Sequence, residues 1–394
     1  MFESAGKEEK MNERPLRVLI VAPSLDILGG QAVQADRLYA HWSADPALEV
    51  SFLPVNPRLP GMLRALQNVK YVRTLVTSAV YLASLFARVR KADVIHAFSA
   101  SYFSFVLAPT PAILVAKLYG KKVILNYRSG EADDHLRRWS RTAIPVMRLA
   151  DAIAVPSGYL VDVFANFGLR ARSIFNIVET DDFRFRRRQR LRPIFLSNRN
   201  FEPLYNVGCV LRAFAIIQRH FDDARLTMVG DGSQRAALEQ LAADLNLRHV
   251  EFTGRVKPEL MPQFYERADI YLNSPNIDNM PGSIIESYAA GLPIVTTDAG
   301  GIPYILTHEE TGLLVARDDH EAMAAGAMRL LKDNALAERI ALHARAECFK
   351  YSWDAVRDEW LGLYREVMKD RKQQQKSPQA SDESVADRAA ANRR

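Results

Sequence analysis

The stretch from Asp269 to Pro303 constrains this chain more than any other. Asp269 to Leu272 is a short apolar run that closes a strand. Pro281 and Gly282 open a helix, with Ser283 in its first turn and Ile284, Ile285, Tyr288 and Ala289 along one apolar face. Gly291 and Pro293 end it. LPIVTT is a second strand, and Asp298, Gly300 and Gly301 make a glycine loop after it. Asp278 and Glu286 bracket the helix start with seven residues between them. A helix N-terminus offers unpaired N–H groups and a positive dipole to an anion. A carboxylate one turn into that helix is a fixed acceptor for hydroxyls. An anion seat beside a hydroxyl acceptor suits a nucleotide sugar. The plainer alternative is a solvated helix start, where the dipole favours acids in any case.

The chain has 394 residues, enough for two domains, and 48% of them are apolar, enough for two cores. Cys209 and Cys348 are the only cysteines. That excludes a disulfide scaffold and a four-cysteine zinc site and suits a reducing compartment. Cys209 lies in an apolar run and reads as a small core residue. The first residues are polar, and LRVLIVAP is too short to export or span a membrane, so a cytoplasmic protein is expected. A net charge of +6 admits an anionic partner without choosing one.

Strands and helices alternate along the whole chain. Leu16–Ala22 is a continuous apolar run, expected of a buried parallel strand. A turn with Gly29 and Gly30 follows, then a helix pattern. The pair is not G-x-G-x-x-G, which disfavours a dinucleotide oxidoreductase. DVIHAF ends a strand near His96, and KVILNY leads into Arg128, Ser129 and Gly130. Residues 60–91 form the most apolar helical stretch, dotted with Arg64, Lys70, Arg73, Arg88 and Arg90. It reads first as a core helix or helix pair, and it also admits peripheral contact with an anionic membrane. RFRRRQRLR packs six arginines into nine positions and reads as a solvated linker, or as a patch for lipid or a polyanion. No nucleic-acid motif or stacking platform accompanies it, so no nucleic-acid partner is expected.

The Asp278–Pro303 stretch resembles the signature of retaining GT-B glycosyltransferases of family 4. That signature has two acidic residues separated by seven, a small-residue helix, a Gly-Leu-Pro turn and a Gly-Gly-Ile-Pro loop. Asp278 stands where the family usually has Glu. The resemblance implies that Glu286 accepts ribose hydroxyls and that Asp278 accepts sugar hydroxyls. It implies that Arg199, Pro281, Gly282 and Ser283 hold the donor diphosphate, with Gly29 and Gly30 opposite. Gly230 would border the cleft, and Val256 would lie by the base. Asn176 to Phe183 resembles the family's hinge, with Ile177 for Gly and Glu179 for Asp. Two family contacts do not carry over. The diphosphate Lys is replaced at its position by Leu204 and Tyr205, and the first-domain His by Arg128 and its neighbours. His96 and Arg128 are the acceptor-side candidates that remain; His96 alone reads first as a satisfied strand-end residue, and Arg128 could meet either the diphosphate or an acidic acceptor.

The expected fold is α/β: GT-B, two Rossmann-like parallel-sheet domains facing a central cleft. The expected divisions are a leader at 1–15, a first, acceptor-side domain at 16–188 and a nucleotide-sugar domain at 189–350. A terminal helix at 351–370 crosses back, and a tail occupies 371–394. The expected activity is retaining hexosyl transfer from a nucleotide diphosphate sugar to a glycan or lipid-linked acceptor, as in polysaccharide assembly. It needs no metal, no resident cofactor and no protein nucleophile. The alternatives are a GT-B-shaped binding or partner protein with weak or no transferase activity, and a nucleotide-sugar epimerase. The order of the motifs argues against the epimerase.

Overall fold

The computed structural model describes residues 14–24, 29–58 and 70–376. The expected leader and tail fall mostly outside these residues, as does the first third of the 60–91 stretch. Six runs rich in β-branched and other apolar residues form one parallel sheet. They are β1 (Leu16–Ala22), β2 (Leu48–Pro54), β3 (Val94–Ser99), β4 (Lys122–Tyr127), β5 (Ala152–Val155) and β6 (Arg172–Ser173). Their order is β2-β1-β3-β4-β5-β6. A second parallel sheet is built from β7 (Ile194–Asn198), β8 (Arg225–Val229), β9 (Val250–Gly254), β10 (Ile270–Asn273), β11 (Ile294–Thr297) and β12 (Leu313–Val315). Its order is β12-β11-β10-β7-β8-β9. Helices cover both sheets, and β3, β4, β10 and β11 are buried along their whole length, as strands covered on both faces must be.

The strand orders point to the site before any side chain is considered. Open parallel sheets bind ligands at the carboxyl ends of the strands, where the order reverses. The first sheet reverses between β1 and β3, the second between β7 and β10. Beyond β1 lies Gly29-Gly30, and β4, beside β3, leads into Arg128. Beyond β7 lies Arg199, and beyond β10 lies Asp278.

The helix Trp353–Lys376 runs six residues past its expected end at 370. Its Val356, Trp360, Leu363, Tyr364 and Val367 join Ile20, Trp42 and Phe98 in a first-domain core. Apolar residues recurring at helical spacing made this packing stripe legible.

The arginine run is not a solvated linker. Asp269, its side chain 2% exposed, pairs with Arg186, Arg188 and Arg192. Arg188 is buried and also donates to the carbonyls of Tyr265, Ala268, Ala290 and Gly291. It thereby caps the carbonyl end of the helix Gly282–Ala290, where a cation suits the dipole. Arg187 meets Glu338. A charge count alone cannot see this arrangement, because the partner lies 77 to 83 residues away in sequence.

The helix Lys70–Val89 has a window, Val72–Val89, long and apolar enough to cross a membrane, and only 17% of that window is buried. Tyr81, Leu85 and Val89 face inward, while Leu75, Leu82 and Phe86 are exposed. The helices Tyr102–Leu107 and Pro109–Leu118 add exposed Phe103, Val106, Leu114 and Leu118. The expectation of a core helix holds for one face only.

Candidate active site

Asp278 is fixed by backbone. Gly301 N–H donates to its carbonyl at 3.0 Å. A Cβ on Gly301 would lie 1.8 Å from the Asn279 carbonyl oxygen, and one on Gly300 would lie 2.1 Å from that of Asp278. The glycine loop therefore exists so that two backbone segments can touch. From the first domain, Ser157 donates to Asn279 Oδ1, and Asn176 Nδ2 donates to the Met280 carbonyl at 2.9 Å. The Gly130 backbone also lies near Ile277 and Asp278. Both domains grip this loop.

The Asp278 carboxylate pairs with Arg199, and each side chain is 11% exposed. Burial raises the Asp278 carboxyl above its ordinary value, against the opposing pull of Arg199 and the Asn279 N–H. Burial disfavours the Arg199 cation, but Asp278 together with Tyr205, Tyr271 and Tyr265 offsets this and raises it above its ordinary value. The Arg199 guanidinium lies 4.1 Å from the Tyr205 ring centroid, a cation–π contact at the family's Lys position. Gly230, at φ +147, lets the end of β8 pass against the Arg199 backbone, where a Cβ would come within 1.9 Å of the carbonyl oxygen. Its place is under Arg199 rather than in an open cradle.

Pro281 caps the helix Gly282–Ala290 with extended backbone and no side-chain cap. That leaves the first N–H groups without side-chain partners. Ser283 is only 7% exposed, and its hydroxyl has the Tyr271 hydroxyl as its one polar side-chain neighbour, at a geometry too poor for a full hydrogen bond. Glu286 turns back toward this end: a Cβ on Gly282 would lie 3.9 Å from its Oε1. Its Oε2 accepts from Tyr265 Oη at 2.7 Å, and Arg37 of the first domain stands 4.0 Å from Oε1. Val256 is half-buried against the core of this helix. Tyr265 and Arg37 belong to no motif. Arg37 had one faint signal: with Gln34 and His41 it forms a polar stripe on the helix Gly30–Ala44. Gln34 bonds both the N–H and the carbonyl of Ile177, and His41 meets Glu179 at 2.9 Å. The stripe follows the interdomain segment.

The acceptor-side candidates fare differently. His96 is fully buried, and both ring nitrogens are engaged, Nδ1 with Tyr364 at 2.7 Å and Nε2 with Asn126 at 2.9 Å. Burial, aided by Arg128, pushes it down to about 3, so it stays neutral. It is a seat for the terminal helix and leaves the acceptor-side set. Arg128 is half-buried and folds over the Phe98 ring at 5.4 Å, toward the helix Gly30–Ala44. Among the described residues nothing lies within 4 Å of a Cβ built on Gly29 or Gly30 at that helix start. On the other side of the same loop, Glu131 accepts from Ser101 Oγ at 3.2 Å. No sequence signal marked Glu131.

Residues 179–347 match the family model described as glycosyl transferases group 1. An uncharacterized glycosyltransferase of Methanocaldococcus jannaschii is 33% identical over 39% of this chain and 39% of its own length. A phosphatidyl-myo-inositol mannosyltransferase of Mycobacterium leprae is 27% identical over 59% of this chain and 58% of its own. These alignments thus span about two fifths to three fifths of the relatives. The crystal structure of Anabaena HepE in complex with UDP and glucose superposes with a TM-score of 0.68, covering 89% of this chain and 99% of that one at 16% identity. The fold is GT-B. The family match falls on the GT-B half that carries Asp278, Ser283 and Glu286, and it stops short of the terminal helix.

Proposed function

We propose that this protein is a retaining glycosyltransferase of family 4, moving a hexosyl group from a nucleotide diphosphate sugar to a hydroxyl acceptor. One observation carries the reading. Arg199 (paired with Asp278), Ser283 and Glu286 all lie around Tyr271 at one helix start that has no side-chain cap. Unpaired N–H groups at a helix N-terminus beside a cation and hydroxyl groups suit an anionic ligand. A diphosphate is one. Glu286 Oε1 accepts the ribose hydroxyls, Asp278 the sugar hydroxyls, and Val256 flanks the base. As the bond from C1 to the phosphate oxygen breaks, negative charge grows on the leaving phosphate. Arg199 and the N–H groups around Gly282 and Ser283 stabilise it more in the transition state than before. The acceptor oxygen bonds C1 on the same face and passes its proton to the departing phosphate. No metal, cofactor or protein nucleophile is required, and the nucleotide sugar is substrate. Thermal shift against UDP-, GDP- and ADP-sugars identifies the donor. Proton NMR of the first product then tests retention: the released or transferred sugar keeps the donor's anomeric configuration. An inverted product refutes the family 4 mechanism.

The absent Lys and the close Arg199–Asp278 contact favour a second reading, a GT-B binding protein with weak transferase activity. Nucleotide binding without turnover on any donor marks that case.

The acceptor is lipid-linked, and the enzyme works at the cytoplasmic face of a membrane. Exposed Leu75, Phe103 and Leu118, each more than 70% exposed, with Arg73, Arg88 and Arg90 at hand, support this. Sedimentation with phosphatidylglycerol vesicles is expected to carry the protein down. Leu75→Asp with Leu118→Asp is expected to lower the bound fraction at least fivefold. Equal binding by that variant contradicts the surface.

A further inference from the structure

Arg128 carries a charge that the fold does not match. Among the described residues it makes no ion pair, and its only side-chain hydrogen bond is Nη1 to Asn126 Oδ1 at 3.3 Å. Its Nη2 is out of contact with solvent and has no partner. Nothing opposes the desolvation, which lowers the guanidinium to about 9. Every other deeply placed arginine here is matched: Arg188 by Asp269 and a ring of carbonyls, Arg199 by Asp278. A half-buried charge with one nitrogen out of solvent and no counter-charge costs stability, and a structural role does not require one.

The surroundings say what would match it. The Arg128 N–H donates to the Ser99 carbonyl at 3.1 Å, and Gln31 Nε2 donates to the same oxygen at 3.2 Å. Arg128 and the start of the helix Gly30–Ala44 therefore meet at one atom. That start carries no acid in its first turn and no side-chain cap, and among the described residues nothing lies within 4 Å of a Cβ built on Gly29 or Gly30. Across the cleft, Gly130 of the same loop lies near the Asp278 backbone, where a Cβ on it would come within 3.4 Å of the Asp278 carbonyl carbon. The backbone of Arg128 thus sits beside the start of that helix, with its guanidinium over Phe98 and bonded to Asn126. Glu131, the acid nearest in sequence, turns the other way, to Ser101.

We propose that Arg128 is a donor-side residue: with the nucleotide sugar bound, its guanidinium leaves Phe98 and binds the diphosphate. It supplies from the first domain the charge that Leu204 and Tyr205 do not supply from the second. This rests on the proposed donor site, and it reassigns Arg128 from the acceptor side. It also makes diphosphate binding depend on both domains, so that leaving-group stabilisation is complete only when the cleft is closed.

The test is Arg128→Met beside Arg128→Lys in the full chain. The ligands are UDP, GDP and ADP, the matching nucleosides, and inorganic pyrophosphate. For Arg128→Met the unliganded melting midpoint is expected to equal or exceed the wild type, because an unmatched, half-buried charge has gone. Affinity for the preferred nucleoside diphosphate is expected to fall about 10- to 100-fold, the range of a lost charged hydrogen bond. Affinity for the nucleoside stays within about twofold, and Arg128→Lys recovers part of the loss. A structural clamp gives the opposite pattern: a lower midpoint and an unchanged diphosphate response. That pattern overturns the proposal. If no nucleotide stabilises the wild type, the transferase reading fails instead, and pyrophosphate decides the anion seat by itself. Stabilisation of the wild type but not of Arg128→Met upholds the seat, and no difference between them removes it.

Discussion

Replacing Asp269 by alanine is expected to destabilise the protein by about 3–5 kcal/mol, the cost of breaking a buried ion pair from one side. The carboxylate is 2% exposed and holds three arginines of the interdomain run, of which Arg188 is 3% exposed. Without it Arg188 keeps its carbonyl contacts but loses its counter-charge. Urea denaturation measures the effect, as a lower midpoint at unchanged slope. The same group predicts a pH dependence. Burial by itself would raise the Asp269 carboxyl, but the Arg192 side chain and N–H, with Arg186, hold it below its ordinary value. A depressed carboxylate contributes stability that is present above the unfolded value, about 3.9. That stability is lost as pH falls through the lower folded value. Asp269→Asn is therefore expected to lose less stability than the wild type between about pH 5 and 2.

Gly301→Ala is expected to reduce transfer about 100-fold or more while the fold survives. Gly301 has an ordinary φ of −82, so an alanine there carries no backbone strain. The obstacle is space. Its Cβ would sit 1.8 Å from the Asn279 carbonyl oxygen, a backbone atom that cannot rotate away. The Asp278 loop must shift by more than an ångström, and misplacement of that order costs about 100-fold in rate. Overpacking of this kind also costs about 1–3 kcal/mol of stability. Donor KM and kcat for Gly301→Ala, beside its melting curve, separate a displaced Asp278 from general unfolding. Near-normal kcat would mean that the loop absorbs the methyl group and that Asp278 is not held as described.

These two residues show what the sequence disclosed and what it did not. Gly300-Gly301 was readable because a fixed local spacing places the loop against Asp278 within one βαβ unit. The two parallel sheets were readable because buried strands must be continuous apolar runs and their helices must alternate with them. The arginine run was misread because its partner, Asp269, comes into reach only through the sheet pairing of β7 with β10. His96, which reads first as a satisfied strand-end residue, is found so, but its partners were hidden for a similar reason. Its environment is made by Tyr364, 268 residues away, on a helix whose apolar stripe is legible but whose docking partner no local pattern specifies. Arg37 and Tyr265 flank Glu286 from two different elements, one of them in the other domain. Local periodicity gives elements and loop motifs. The counter-charges and the cross-domain contacts that finish the site are long-range, and only packing reveals them.

Calorimetric titration of the wild type and Glu286→Ala with UDP, GDP and ADP is the most direct test of the donor site. The proposed site predicts that one nucleotide binds the wild type at one per chain. It predicts that Glu286→Ala, which removes the ribose acceptor beside Gly282 and Tyr265, weakens that nucleotide about 10- to 100-fold. No binding by any of the three, or equal binding by both proteins, contradicts it.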